Sequence, residues 1–394
     1  MASPEVLMPV NNRIAAEAPK IAEWRHALHR IPEILYDLPD TARFIAARLR
    51  EIGCDEVVEG IGGTGVVGLI HGREGGPVVG LRADMDALPI AEAADLPYRS
   101  ERADAMHACG HDGHMAMLLG GAEALAATRR FRGTVAVIFQ PAEEGGAGAK
   151  AMIEDGLLDR FAISRVFGMH NLPGLPLGHF AIRPGPIMAS TDEFTLQLRG
   201  RGSHAAIPQQ GFDPILAGSA LVQALQQIAS RNVDPLDSVV VSVTQFHAGF
   251  AHNVIPETAT VSGTVRSLTA RTRDLAERRI REIAAGIGAA QGVEIEVDYD
   301  RNYPVTLNHA GEAAFCADVA AEVAGESAVN RDTVPLMGGE DFSYMLEQRP
   351  GAFIFVGNGA SAGLHHPAYD FNDEAIPFGS SYWLTLAERA LPLE

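Results

Sequence analysis

The chain has 394 residues, 47% hydrophobic and 21% charged, an ordinary globular composition with enough length for two cores. Its formal charge of -19 argues against nucleic acid or an anionic membrane as a partner, since both need a positive field. No apolar run approaches the roughly 18 residues that span a bilayer. Residues 1–13 lack a basic segment followed by an apolar one, and Cys54, Cys109 and Cys316 are scattered. We therefore expect no signal peptide, no disulfide framework and a cytoplasmic enzyme.

In chain order, residues 65–70 and 78–81 are predicted as buried strands. A helix is predicted over 112–127 with Asp112 as its cap, a strand over 134–139, a helix over 147–154 and a strand over 166–168. These strands are continuous rather than alternating apolar runs, as a mostly parallel sheet covered on both faces requires. From residue 191 the texture changes. Strand 193–198, helix 214–230, strands 238–246 and 257–266, helix 270–291 and strand 293–299 follow the ferredoxin-like order β-α-β-β-α-β. The α/β texture then returns with a helix near 311–324, a strand at 352–356 and a last helix from about 373. The fold class predicted is α/β: a mostly parallel-sheet catalytic domain (1–187 and 302–394) interrupted by a ferredoxin-like α+β insertion (188–301).

Four polar groups fall after predicted strands or in short loops of the α/β part, where crevices of open sheets bind ligands. Cys109 and His111 lie in Met106-His107-Ala108-Cys109-Gly110-His111-Asp112-Gly113-His114, spaced so that on an extended segment both turn to one side. Glu143 and Glu144 lie in Gln140-Pro141-Ala142-Glu143-Glu144-Gly145, His170 in Met169-His170-Asn171, and His365 and His366 in Leu364-His365-His366-Pro367. Taken singly, each has a bland explanation, such as a solvated turn for the glutamates. Together, Cys109, His111, Glu144, His170 and one of the final histidines make five donors. That exceeds what one tetrahedral ion takes and suits two ions about 3.5–4 Å apart. One of the adjacent carboxylates then coordinates while its neighbour acts as general base. The thiolate favours zinc or cobalt on softness, with manganese and nickel left open.

These motifs occur in order with R-A-D-M-D-A-L-P-I (82–90) before them and G-G-E-D-F-S-Y (338–344) ahead of L-H-H-P. The set resembles the metallopeptidase-clan amidohydrolases, among them hippurate hydrolases, N-acyl-amino-acid amidohydrolases and plant auxin-conjugate hydrolases. The resemblance implies a zinc-exopeptidase-like catalytic domain whose insertion is a lid and dimerisation domain. It implies metal ligands at Cys109, His111, Glu144, His170 and His365, with His366 in the variable place of a His-x-Pro pattern. Glu143 becomes the catalytic base, and Asp86 a carboxylate that orients a ligand from behind. Asp84, Asp112 and Glu340 are further supporting candidates.

In the insertion, Gly200-Arg201-Gly202-Ser203-His204-Ala205-Ala206 presents His204, which the resemblance makes an oxyanion stabiliser, often reaching across a dimer. Asn253 and Arg266 match positions that could hold the substrate's carboxylate. Gln209 stands where the pattern often has a histidine, and no role is assigned there. The activity implied is a two-metal amidohydrolase that cleaves small N-acyl amino acids, working as a dimer or dimer of dimers. Dipeptidases and N-acetyl-diaminopimelate-type deacetylases share the scaffold. A non-catalytic, metal-stabilised acyl-amino-acid-binding protein would have lost a ligand or the base, and neither is missing.

Overall fold

Strands that are apolar on both faces require a sheet covered on both sides, and the computed structural model, which describes residues 10–393, has one. The first elements are α1 (Asn12–Arg30), α2 (Pro39–Ile52), β1 (Glu56–Ile61), β2 (Gly65–His71), β3 (Glu74–Asp84) and α3 (His111–Thr128). Next come β4 (Arg132–Gln140), α4 (Gly148–Glu154), α5 (Leu157–Arg160), β5 (Ile163–Leu172), β6 (Phe180–Ala181) and β7 (Gly185–Met188). The middle of the chain forms β8 (Ser190–Arg199), β9 (Ser203–His204), α6 (Pro214–Leu225), β10 (Val239–Ala248), β11 (Val254–Ile255) and β12 (Thr258–Ser267). It continues with α7 (Ala270–Gln291), β13 (Glu294–Arg301) and β14 (Thr306–Asn308). The last elements are α8 (Ala310–Ala324), β15 (Val329–Asn330), α9 (Ser343–Gln348), β16 (Gly351–Gly357) and α10 (Ile376–Ala390). No helix among the described residues is long and apolar enough to cross a membrane.

The chain forms two units. The first comprises residues 10–185, Leu307–Val334 and 341–393; the second comprises Pro186–Thr306 and Pro335–Glu340. In the first, eight strands run in the order β1-β2-β4-β3-β5-β16-β6-β15. The central four, β4-β3-β5-β16, are mutually parallel, while β1, β2 and β6 add antiparallel pairs. The sheet is therefore mixed with a parallel centre.

Helix α3 is apolar around nearly its whole circumference and is buried accordingly. Its glycines allow close approach of neighbours. A Cβ at Gly120 would lie 2.7 Å from Ile21 of α1, and one at Gly121 would lie 2.7 Å from Trp383 of α10. The first turn of α3 is held by charge. Arg25 and His29 of α1 are buried, and both bond Asp112, at 3.2 and 2.8 Å. His29 also meets Glu92 at 3.2 Å. Asp112 is thus an anchor inside the first turn, not the cap predicted for it. The cap position belongs to Gly110 at φ +86°, where a Cβ would strike Asn171 and Tyr369 within 2.6 Å. No helix was predicted before residue 65, because the buried stripe of α1 (Ile14, Ile21, Arg25, Leu28, His29) is broken by these two charged groups.

In the second unit the strands are antiparallel in the order β10-β12-β8-β13, which is the predicted ferredoxin-like topology. Alternate residues of β8 (Phe194, Leu196, Leu198) face a core shared with Leu221 of α6 and Ile280 of α7. The helix predicted over 214–230 ends at Leu225, and Ile228–Asn232 form a separate π turn.

Burial opposes a charge on His29, but Asp112 and Glu92 outweigh it and push its pKa up to about 9. A folded-state pKa above the free value near 6.5 gives stability that is complete below about pH 6.5 and is lost as pH rises through about 9. Metal-free protein should therefore become easier to unfold with urea between pH 6.5 and 9.5, and His29→Asn should flatten that slope. Equal slopes for parent and variant would remove His29 from the account.

Candidate metal centre

Parallel strands bring their C-terminal ends to one edge, and the predicted donors of the first unit collect there. Asp84 ends β3, with Asp86 two residues on; Glu143 and Glu144 follow β4; His170 lies near the C-terminal end of β5. Cys109 and His111 lead into α3, and His365 sits in the loop beyond β16. The His365 backbone N–H donates to Ala108 O at 2.8 Å, which ties that loop to the Cys109 loop. Its φ of +62°, in the left-handed region a non-glycine residue seldom adopts, is held by this tie.

The donor atoms converge. Cys109 Sγ lies 3.4 Å from His170 Nε2, Glu144 Oε1 3.2 Å from His365 Nε2 and 4.0 Å from His111 Nε2. Cys109, Glu144 and His365 form one group of mutually close donors; His111, Glu143 and Glu144 form another. Both imidazoles are oriented from behind. His111 Nδ1 donates to Asp86 O at 2.7 Å, and His170 Nδ1 donates to Asn171 O at 2.6 Å, so each Nε2 lone pair faces the cluster. Asp86 does more than orient a histidine. Its carboxylate oxygens accept the backbone N–H groups of Glu143 (2.9 Å) and Glu144 (3.0 Å) and so grip the loop that carries both glutamates.

The electrostatics call for a cation. Burial, then Glu144, Glu143 and Asp84, drive the Cys109 thiol well above its ordinary pKa. Burial alone would neutralise His111, but Asp84 and Asp86 reverse this and push it up to about 10. For His170, burial and then the neighbouring His114 drive the pKa well down. Burial works against the charge on Glu144, yet His365 and His111 bring its pKa below the usual value. The Glu144 carboxylate 3.2 Å away raises that of His365.

His111 Nε2 and Glu144 Oε1 are buried without a well-directed hydrogen-bond partner. Two donors 2.0–2.3 Å from one tetrahedral ion stand roughly 3.3–3.8 Å apart, close to the separations here. Thiolate, imidazole and carboxylate donors in this arrangement fit divalent transition ions.

The structure thus brings together Cys109, His111, Glu144, His170 and His365, with Glu143 beside them and 7% exposed. His366 is apart from this group, its Nδ1 accepting the Ala368 N–H of its own turn. His204, Asn253, Arg266 and Glu340 belong to the second unit. There, His204 pairs with Val254, and Asn253 O accepts the Ala205 N–H, so these two are neighbours. Arg266 is not with them. It lies eight residues along β12 from Thr258, roughly 26 Å at the usual strand rise.

Sequence reasoning gave no part at the site to Arg82, Gln140, Asn171 or Tyr369. Arg82 bonds Asp84 (2.9 Å), Gln140 (2.8 Å) and Asp341 (3.0 Å), all buried. The i, i+3 spacing of His111 and His114 on one helix was the available signal that His114 also faces the edge.

A donor cluster of this kind beside a second glutamate is the equipment of a metal-dependent hydrolase. The chain belongs to peptidase family M20/M25/M40, which it matches over residues 80–389, and as such it acts on amide bonds. It is 44% identical over 367 residues to a hippurate hydrolase of Campylobacter jejuni, covering 93% of this chain and 95% of that one. An N-acetylcysteine deacetylase of Bacillus subtilis is 39% identical, with 93% and 96% covered. Among solved structures, the YXEP protein of Bacillus subtilis, described as a dinuclear metal binding peptidase of the M20 family, superposes with a TM-score of 0.84. It is 36% identical, with 96% of this chain and 99% of that one covered.

Replacing Cys109 by serine removes the softest donor and leaves the rest. Zinc affinity, measured by competition with a chromophoric chelator, should fall by more than about tenfold while far-UV circular dichroism is unchanged. Parent-like affinity would take Cys109 out of the ligand set.

Proposed function

We propose that this enzyme hydrolyses N-acyl amino acids of the hippurate type to a carboxylic acid and a free amino acid. The observation that carries the reading is the placement of Glu143 beside five convergent donors at one sheet edge. Two divalent ions held by Cys109, His111, Glu144, His170 and His365 would lower the pKa of a water molecule and polarise the scissile carbonyl. Glu143 accepts the attacking water's proton and delivers it to the departing amine nitrogen. Asp86 keeps Glu143 in place through the backbone. His204 supplies an oxyanion donor: its Nδ1 accepts the Ala206 N–H at 3.0 Å, which leaves the proton on Nε2.

Arg266 suits bidentate capture of the substrate carboxylate, since it forms no ion pair among the described residues and bonds only Thr264 Oγ1 and Val265 O. Arg266 stands at one end of β12, while His204 and Asn253 gather near the other. They can serve one substrate only if they come from different copies of the chain. A dimer through the second unit supplies this. Strand β10 is an edge strand, exposed from residue 244 onward, and Phe246, Phe250, Ile215 and Leu216 are exposed apolar side chains of the same unit. The three cysteines are free thiols, which supports a reducing, cytoplasmic setting.

Three measurements test the reading. Purified metal-loaded enzyme should turn over hippurate faster than acetyl-amino acids or dipeptides; preference for acetyl substrates would make it a deacetylase, and activity on dipeptides alone would overturn the assignment. Glu143→Gln should keep its metal content and lose about 10²–10⁴-fold in kcat; near-parental turnover would displace Glu143 as the base. Phe250→Asp combined with Leu216→Asp should sediment as a monomer with little activity, whereas an intact dimer would exclude that surface.

A further inference from the structure

We propose that His114 and Asn171, backed by Asp84 and Tyr369, are positioning residues that set the spacing between the Cys109 and His170 donors. The inference rests on the reading of Cys109 and His170 as metal ligands and goes beyond it by assigning the groups that hold them.

His114 sits one helical turn beyond His111, and Asp84, His111, His114 and His170 form a tight buried group. That grouping looks like a ligand set, but the hydrogen bonds give His114 another task. Its Nδ1 donates to Asp84 Oδ1 at 2.6 Å, and its Nε2 accepts from both the backbone N–H and the side-chain amide of Asn171, each at 3.0 Å. Both ring nitrogens are engaged, so no lone pair remains for a metal. Asp84 is held in turn by Arg82 at 2.9 Å, which keeps it an acceptor and fixes the His114 tautomer.

Asn171 collects these bonds and passes them to the ligands. Its side-chain amide also donates to Cys109 O at 2.7 Å, its Oδ1 accepts the Tyr369 hydroxyl at 2.8 Å, and its backbone O accepts His170 Nδ1 at 2.6 Å. One buried asparagine therefore grips the main chain of one donor and the ring of the other, whose Sγ and Nε2 stand 3.4 Å apart. Asp84, Asn171 and Tyr369 are fully buried and His114 is 1% exposed, so water cannot replace any of these partners cheaply. The relay also explains the glycine between Cys109 and His111: a Cβ at Gly110 would lie 2.5 Å from the Asn171 amide nitrogen and 2.6 Å from the Tyr369 oxygen. Only the neutral Nδ1–H imidazole offers a donor to Asp84 and an acceptor to Asn171 on one rigid ring. Phenylalanine in its place keeps the ring and offers neither.

Cobalt(II) is the probe, added to metal-free full-length parent, His114→Phe and Tyr369→Phe. The readouts are the cobalt Kd and the thiolate-to-cobalt charge-transfer absorption, followed by kcat and KM at saturating cobalt. We expect Kd to rise about 10–100-fold in His114→Phe and by a smaller factor in Tyr369→Phe. The charge-transfer band should shift in both, and kcat should fall with KM nearly unchanged. Tyr369→Phe deletes a single hydroxyl and decides the matter if His114→Phe does not fold. Parent-like Kd and absorption in natively folded variants, even with a lowered melting temperature, would reduce the relay to a stabilising role and overturn the proposal. A parent that binds cobalt without a thiolate band would overturn the ligand reading itself, and this result is distinguishable because it precedes any substitution.

Discussion

The fold at this sheet edge is governed by one constraint: carboxylates, a thiol and several imidazoles must be kept out of water together. Buried charges cost several kcal/mol each unless partners compensate them, and three buried aspartates here have identifiable compensation. Asp84 lies between Arg82 and His114. Asp86 accepts two backbone N–H groups, and Asp112 is held by Arg25 and His29 from α1. What these contacts leave over is a buried negative surplus around Cys109: burial and then the carboxylates drive the thiol up, and the carboxylates drive His111 up beside it. A divalent cation would reverse both, taking the place of the protons that the Cys109 thiol and His111 otherwise retain.

Rigidity comes from a different source, the close packing of small and apolar groups. Helix α3 reaches its neighbours through Gly120 and Gly121, and its first turn is locked by the charged side chains of α1. The site thereby stands on strand ends and the start of a helix, and the loops bearing Glu143 and His365 are tied in by backbone N–H groups that donate to the Asp86 carboxylate and to Ala108 O. Donors that point inward and backbones that are gripped from outside are two parts of one design.

Much of this was legible in the amino-acid order. The buried strands at 65–70 and 134–139 lie inside β2 and β4, and the β-α-β-β-α-β succession emerged as the sheet β10-β12-β8-β13. What failed did so for local reasons. Helix α1 was missed because Arg25 and His29 occupy its buried face, where a periodic reading expects apolar residues. Asp112 was expected to cap α3, a role its residue type favours, but tertiary partners outbid the local bond. Asp86 was expected to orient a ligand through its carboxylate. Its backbone oxygen takes the closer contact with His111 Nδ1, at 2.7 Å against 3.6 Å for the carboxylate, and the carboxylate also holds the glutamate loop.

The sequence by itself determined much of the succession of elements from residue 65 onward and the chemical identity of the donors, because strand and helix periodicity and ligand chemistry are properties of residues near one another in the chain. Only the tertiary structure decided which atom of each donor faces the cluster and that Arg266 lies far along its strand from Asn253. The physical reason is that a hydrogen-bond direction, a histidine tautomer or a distance along a sheet depends on partners tens to hundreds of residues away, such as Asp84 with His114 or Asn171 with Tyr369. No local pattern encodes those partners.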